Sequence, residues 1–163
     1  MNNVYLLDTN VFITAANNYY AFDLIPSFWS KLEKISKTDA ISVIDKVYEE
    51  IRKGDDELKD WMLSLWNKKN VLKSSEGDIL NAYSTIINSE ILDKYTYSAK
   101  INFADCADSW LIAHAYAKKY VIVTLEKFDE NIKRRVKIPN ICNHFNISCI
   151  HLFDFMREIK LII

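Results

Sequence analysis

Glycine and proline are nearly missing from this chain, with two of each in 163 residues. So few turn formers exclude an all-β protein built from tight hairpins. Cysteine is scarce and odd in number, and Cys106, Cys142 and Cys149 show no Cys-x-x-Cys spacing. They read as reduced, mostly buried thiols of a cytoplasmic protein. His114, His144 and His151 lack zinc-ligand spacing and read as core or surface residues. No apolar run approaches the roughly 20 residues of a membrane span, so no membrane partner is expected. Met1-Asn2-Asn3-Val4 has no basic stretch leading into a long apolar region, so no secretory leader is expected. Charge of one sign is not in excess: the formal net charge is −1, which gives no global positive field. No Walker-type glycine loop, internal repeat, low-complexity tract or linker interrupts the chain.

What is present is core material. Half of the residues are hydrophobic, 13% are aromatic and 26% are charged, which excludes a disordered chain. A chain of this length buries roughly 70% of its unfolded surface in one domain, here taken as residues 1–163. Val4–Leu7 reads as a strand buried on both faces, Ala40–Ile44 as a second, Tyr120–Thr124 as a third, and Cys149–His151 as part of a fourth. Helices are expected from Pro26, from Asp45 as a cap to near Gly54, through Leu58–Trp66, through Ile79–Ile87, and through Leu152–Ile159. Asn102–Asp105 reads as a capping box with Asp in place of Glu, which gives Asp105 a structural role. The helix after it carries Leu111, Ile112 and Ala115. Asn88–Ile101 shows no clear period. Strands alternating with helices predict an α/β fold with a mostly parallel sheet covered on both sides.

Ligands of open parallel sheets bind beyond the carboxyl ends of the strands. Asp8 directly follows the first strand, Glu49 and Glu50 lie in the helix after the second, and Glu126 lies just beyond the third. Asp108 heads the apolar stripe of Leu111 and Ile112, where an unpaired carboxylate is costly. Singly, Asp8 and Asp108 are equally well explained as helix caps, and it is their joint placement that favours a shared site. Carboxylates converging without His or Cys suit a hard cation, Mg²⁺ or Mn²⁺, that retains waters for a phosphate oxygen and a nucleophile.

Three blocks of sequence carry a resemblance. Leu6-Leu7-Asp8-Thr9-Asn10-Val11-Phe12-Ile13, Asp108-Ser109-Trp110-Leu111-Ile112-Ala113-His114-Ala115 and Val121-Ile122-Val123-Thr124-Leu125-Glu126-Lys127-Phe128 occur in that order. Together they resemble the PIN-domain nucleases, with Glu126 where Asp is more usual. Tyr19-Tyr20, Phe28-Trp29 and the tail from Ile138-Pro139-Asn140-Ile141-Cys142 resemble an uncharacterised bacterial branch known only as domains of unknown function. The resemblance implies a three-layer α/β/α PIN-like fold. It implies metal binding by Asp8 and Asp108 with Glu50 in support, Glu49 being the alternative, and Glu126 completing the cluster. Asn10 and Thr124 would orient waters or the phosphate, with turn and helix-start hydrogen bonding as the plainer role for each.

The activity implied is hydrolysis of RNA phosphodiester bonds with Mg²⁺ or Mn²⁺. Small bacterial members of the VapC type are toxins paired with a protein antitoxin, which makes an antitoxin an implied partner. Homodimerisation through Trp61, Trp66 or the tyrosines is a further expectation. Lys127, Lys133, Arg134, Arg135 and Lys137 follow Glu126 closely and are candidates for RNA phosphates, a solvated loop being the alternative. Tyr19 and Tyr20 suit core or dimer packing better than base stacking. A haloacid-dehalogenase phosphatase would need a second Asp where Asn10 stands, and no receiver-type Asp and Lys arrangement is present. The competing reading is a PIN-like module that binds RNA or protein without cutting.

Overall fold

The structure is a computed structural model and describes residues 2–163, so the part of the leader reading that rests on Met1 lies outside the described residues. In chain order the elements begin with β1 (Tyr5–Leu7), α1 (Thr9–Thr14) running into a π-helical segment (Ala15–Tyr19), α2 (Pro26–Ser36) and β2 (Ile41–Ser42). Then come α3 (Asp45–Arg52), α4 (Glu57–Leu65), α5 (Gly77–Ile87), a 3₁₀ turn (Glu90–Leu92), α6 (Tyr97–Asp105) and α7 (Ala107–Lys118). The chain closes with β3 (Val121–Thr124), α8 (Ile138–Phe145), β4 (Cys149–His151) and α9 (Leu152–Glu158).

The strands pair in the order β2-β1-β3-β4, all parallel, with Leu6 opposite Ser42 and Ile122, and Val123 opposite Ile150. Continuous apolar strands are what a sheet covered on both faces requires, and Leu6, Ile122 and Val123 are fully buried. Applied to this strand order, the right-handed crossover rule puts α1–α2 and α3–α8 on opposite faces, consistent with a three-layer α/β/α sandwich. Helix α7 lies against β3 with α3, α5, α6 and α8 around it, while α9 covers β3 and β4. One hydrophobic core runs through all three layers. Among the described residues no helix is long and apolar enough to cross a membrane.

Three local expectations are corrected. The second strand pairs only at Ile41–Ser42; beyond it, Ile44 bridges Leu72, and Leu72 N–H donates to Val43 C=O at 2.9 Å. Asp45 is the first helical residue rather than the cap, and its carboxylate takes Lys46 N–H and the backbone N–H of Ser74. Asn102–Asp105 is the last turn of α6 rather than a capping box. That helix starts earlier, at Thr96, whose Oγ1 accepts Ala99 N–H at 3.2 Å, and it buries Ala99 and Phe103 four apart. Asp105 is therefore exposed at a helix end, and α7 begins after the single extended residue Cys106.

The tryptophans proposed for dimer packing are largely internal. Trp61 sits edge-on to Trp29 and Trp66, and Trp66 is buried, so this group fills space inside the molecule. Tyr20 stacks on Phe28, as expected for packing, and Tyr19 stays half exposed beside Phe153. With glycine so scarce, Lys119 (φ 60°) and Asn146 (φ 54°) take the left-handed positions that end α7 and α8.

Candidate active site

The site grows from one ladder. Asp8 N–H donates to Val123 C=O at 3.0 Å, which continues the β1–β3 pairing one residue past the strand. The Asp8 side chain is thereby fixed at the carboxyl edge of the sheet, buried and beside Thr124. Thr124 Oγ1 donates to Asp8 Oδ2 at 3.2 Å and accepts Glu126 N–H at 3.1 Å, so one hydroxyl orders both acidic turns. Asn10 contributes through its backbone: its N–H reaches Asp8 Oδ1 at 3.4 Å, while its side chain is exposed and makes no hydrogen bond among the described residues.

Glu50 arrives from α3. Its Oε2 accepts the Thr9 hydroxyl at 2.7 Å and its Oε1 accepts Ala107 N–H at 3.3 Å. Ala107 opens α7, where the first amides lack intrahelical partners, so Glu50 satisfies one of them and ties α1, α3 and α7 together. Glu49 points elsewhere: it pairs with Arg52 at 3.2 Å and lines a separate cavity of about 330 Å³ with Lys68 and Lys73. Of the two alternatives, geometry puts Glu50 at the site.

Asp108 stands in the first turn of α7 and lines a cavity of about 220 Å³ together with Asn102, Cys106, Arg134 and Arg135. Its carboxylate accepts no hydrogen bond from the described residues. Glu126 is nearly buried; its Oε2 accepts Ile138 N–H at 2.8 Å, and its Oε1 is paired with Arg135.

Charge links these four side chains. Burial, then the charge of Glu126, pushes Asp8 up to about 6, with Glu50 adding to the rise and Asn10 N–H and the Thr124 hydroxyl opposing it. Burial, then Asp8, Glu126 and Glu50, pushes Asp108 up to about 8, and only the Arg135 guanidinium pulls it back. Burial and the Asp108 charge likewise raise the Cys106 thiol to about 11, which leaves it an unreactive neighbour. Among the described residues no three His, Cys, Asp or Glu side chains lie close enough to hold a metal ion between them.

The basic loop divides. Arg134 and Arg135 line the cavity of Asp108, whereas Lys127 and Lys133 are exposed outside its lining. Lys133 C=O accepts Thr96 N–H, and Lys137 Nζ reaches Lys127 C=O, so both segments are held by their backbones. Sequence reasoning missed Thr9, the Ala107 amide and the Ile138 amide, which aim Glu50 and Glu126. Thr9 adjoins Asp8 and could have been found there; the two amides carry no side-chain signal.

A buried Asp8, with the partly buried Asp108 and Glu126 and the exposed Glu50 around it, stands at the carboxyl edge of an all-parallel sheet in an α/β/α domain, the edge where ligands of such sheets bind. Within that class, residues 5–163 match the family described as "Domain of unknown function (DUF4411)", and the chain belongs to it. No curated protein and no solved structure matches the chain.

Proposed function

We propose that this chain is a Mg²⁺- or Mn²⁺-dependent endoribonuclease of PIN type, the toxin of a type II pair with a protein antitoxin. The observation that carries the reading is that Asp8, Glu50, Asp108 and Glu126 come from four separate segments and act on one another's charge in one cleft. Structural ion pairs would be balanced by cations, and here Arg135 is the only cation among the groups that shift Asp8 and Asp108.

The donor set fits a hard divalent ion. It is all oxygen, and Asp8 and Asp108 are raised above their ordinary pKa by burial first and then by neighbouring carboxylates whose repulsion a cation would relieve. With no three donors converging, such an ion would touch one or two carboxylates and keep its waters, which is how Mg²⁺ is usually held. Asp8 and Asp108 would hold it, with Glu50 and Glu126 acting through water. When bound it would neutralise phosphate charge and supply a water of lowered pKa. The chain's own residues do the rest. Thr124 fixes the Asp8 carboxylate plane, Thr9 and Ala107 N–H fix Glu50, and Arg134 offers a planar donor fork to a phosphate at the cleft wall.

A non-cutting RNA- or protein-binding module is the second reading, favoured by the ion pair that occupies Glu126. The test separates the two. Purified protein with Mn²⁺ is expected to cleave end-labelled single-stranded RNA, leaving 5′-phosphate and 3′-hydroxyl ends. Asp8→Ala and Asp108→Asn are expected to lower the rate by more than about a thousandfold. Binding without cleavage, or folded variants that cut as fast as the parent, would refute the nuclease reading.

A further inference from the structure

We infer that Arg135 is an internal counter-ion that stands at Glu126 in place of a divalent cation and yields that carboxylate oxygen when the cation binds. This rests on the metal-dependent reading above and adds to it a competition within the chain.

The two oxygens of Glu126 are held differently. Oε2 is anchored by Ile138 N–H at the start of α8, a backbone contact that does not involve Arg135. Oε1 is paired with the Arg135 guanidinium, which reaches in from the surface: the Arg135 side chain is 56% exposed and that of Glu126 only 10%. The carboxylate therefore stays in place whether or not the arginine does, and exchange requires only a half-exposed head group to move. Its loss alone would leave the partly buried Glu126 and Asp108 without the cation beside them, which is costly for desolvated carboxylates. Arg135 is thus retained until another cation replaces it. The pair itself is open to replacement, because an ion pair with one partner in solvent is worth little net free energy.

The same guanidinium lines the cavity of Asp108, and its charge is the one that lowers the Asp108 pKa, so it compensates more than one acid. Once displaced it lies beside Arg134 at the cavity wall, with its planar fork of donors free for a phosphate. Cation entry and preparation of the phosphate-binding wall then become one event.

Competition is read without RNA or turnover, by titrating Mn²⁺ into the full chain and following heat or the free-Mn²⁺ resonance. Arg135→Gln is expected to tighten Mn²⁺ binding about tenfold, the scale of one charge-assisted hydrogen bond. Arg135→Lys, which keeps the charge but not the fork, is expected to fall between parent and Gln variant. In a Glu126→Gln background the gain from Arg135→Gln is expected to shrink to less than about twofold. If the parent binds Mn²⁺ and folded Arg135→Gln binds it equally or more weakly, the counter-ion role is wrong while the metal reading stands. If neither binds Mn²⁺, or if Asp8→Ala with Asp108→Asn binds like the parent, the metal reading fails and takes this role with it.

Discussion

Two polar regions interrupt the apolar interior, and they are built on opposite rules. In one, Asp45, Ser74 and His114 form a chain. The Asp45 carboxylate takes both the hydroxyl and the backbone N–H of Ser74, and Ser74 Oγ meets His114 Nε2 at 3.1 Å. Burial pushes His114 down to about 4, so its imidazole is neutral, and its Nε2 is partnered by the Ser74 hydroxyl. It clamps the loop after α4 between α3 and α7, and it accounts for the core role expected of His114. In the other region, the cleft, Asp108 accepts no hydrogen bond from the described residues, and burial, followed by repulsion from its acidic neighbours, raises its pKa. The first arrangement holds the fold together; the second costs folding free energy, the cost that the proposed cation would offset.

Substitutions should separate the two. The largest stability effect is expected in the knot. Asp45→Ala strands two buried groups of Ser74 and should destabilise the protein by about 3 kcal/mol, seen as a lowered denaturant midpoint at every pH. Asp108→Asn, by contrast, should leave the metal-free protein as stable or more stable at pH 8, because it removes a repelled charge. A comparable loss for both variants would erase the distinction.

The next effect is a pH dependence whose sign differs between the regions. Asp8 and Asp108 have raised folded pKa values, so the folded state binds more protons than the unfolded, and stability present at low pH is lost as pH rises through about 6 and about 8. His114 is depressed to about 4, so its contribution is present above the unfolded value and is lost as pH falls through the window down to about 4. Below about 6.5 the regions oppose each other; above it only the cleft still titrates. Thermal melts of chelator-treated protein should therefore lose about 5 °C between pH 6.5 and 8.5, and Asp108→Asn should flatten that slope. A melting temperature that rises over this interval in the parent would contradict the assignment of charges to the cleft.

The smallest effect concerns the cleft wall. Replacing Arg134 with Gln should weaken RNA binding and reduce the logarithmic salt slope by about 0.7, while the same change at Lys127, outside the cavity, should matter less. Equal slopes for the two variants in filter binding would place the RNA along the whole basic loop instead.

Much of the fold was legible because burial on both faces writes itself into composition. Tyr5–Leu7 and Val121–Val123 are unbroken apolar runs, and in a parallel sheet the acid that follows such a run lies at the ligand edge. The helix caps were harder to read. Thr96 and Asn102 both suit a helix start, and it is the burial of Ala99 and Phe103 against the core that selects the first. The adjacent acids Glu49 and Glu50 differ only in the direction their side chains leave α3, which a linear pattern does not fix to one residue.

Local chemistry alone therefore determined roughly where the strands fall, that the sheet is mostly parallel, and the acids available at the strand ends, since hydrophobic period and residue type are properties of short segments. Only the tertiary structure decided which acids meet, that backbone amides of Ala107 and Ile138 aim two of them, and that Arg135 sits among them. Those outcomes depend on contacts between residues far apart in the chain, where one rotation of a helix exchanges a neighbour in the cleft for one in solvent.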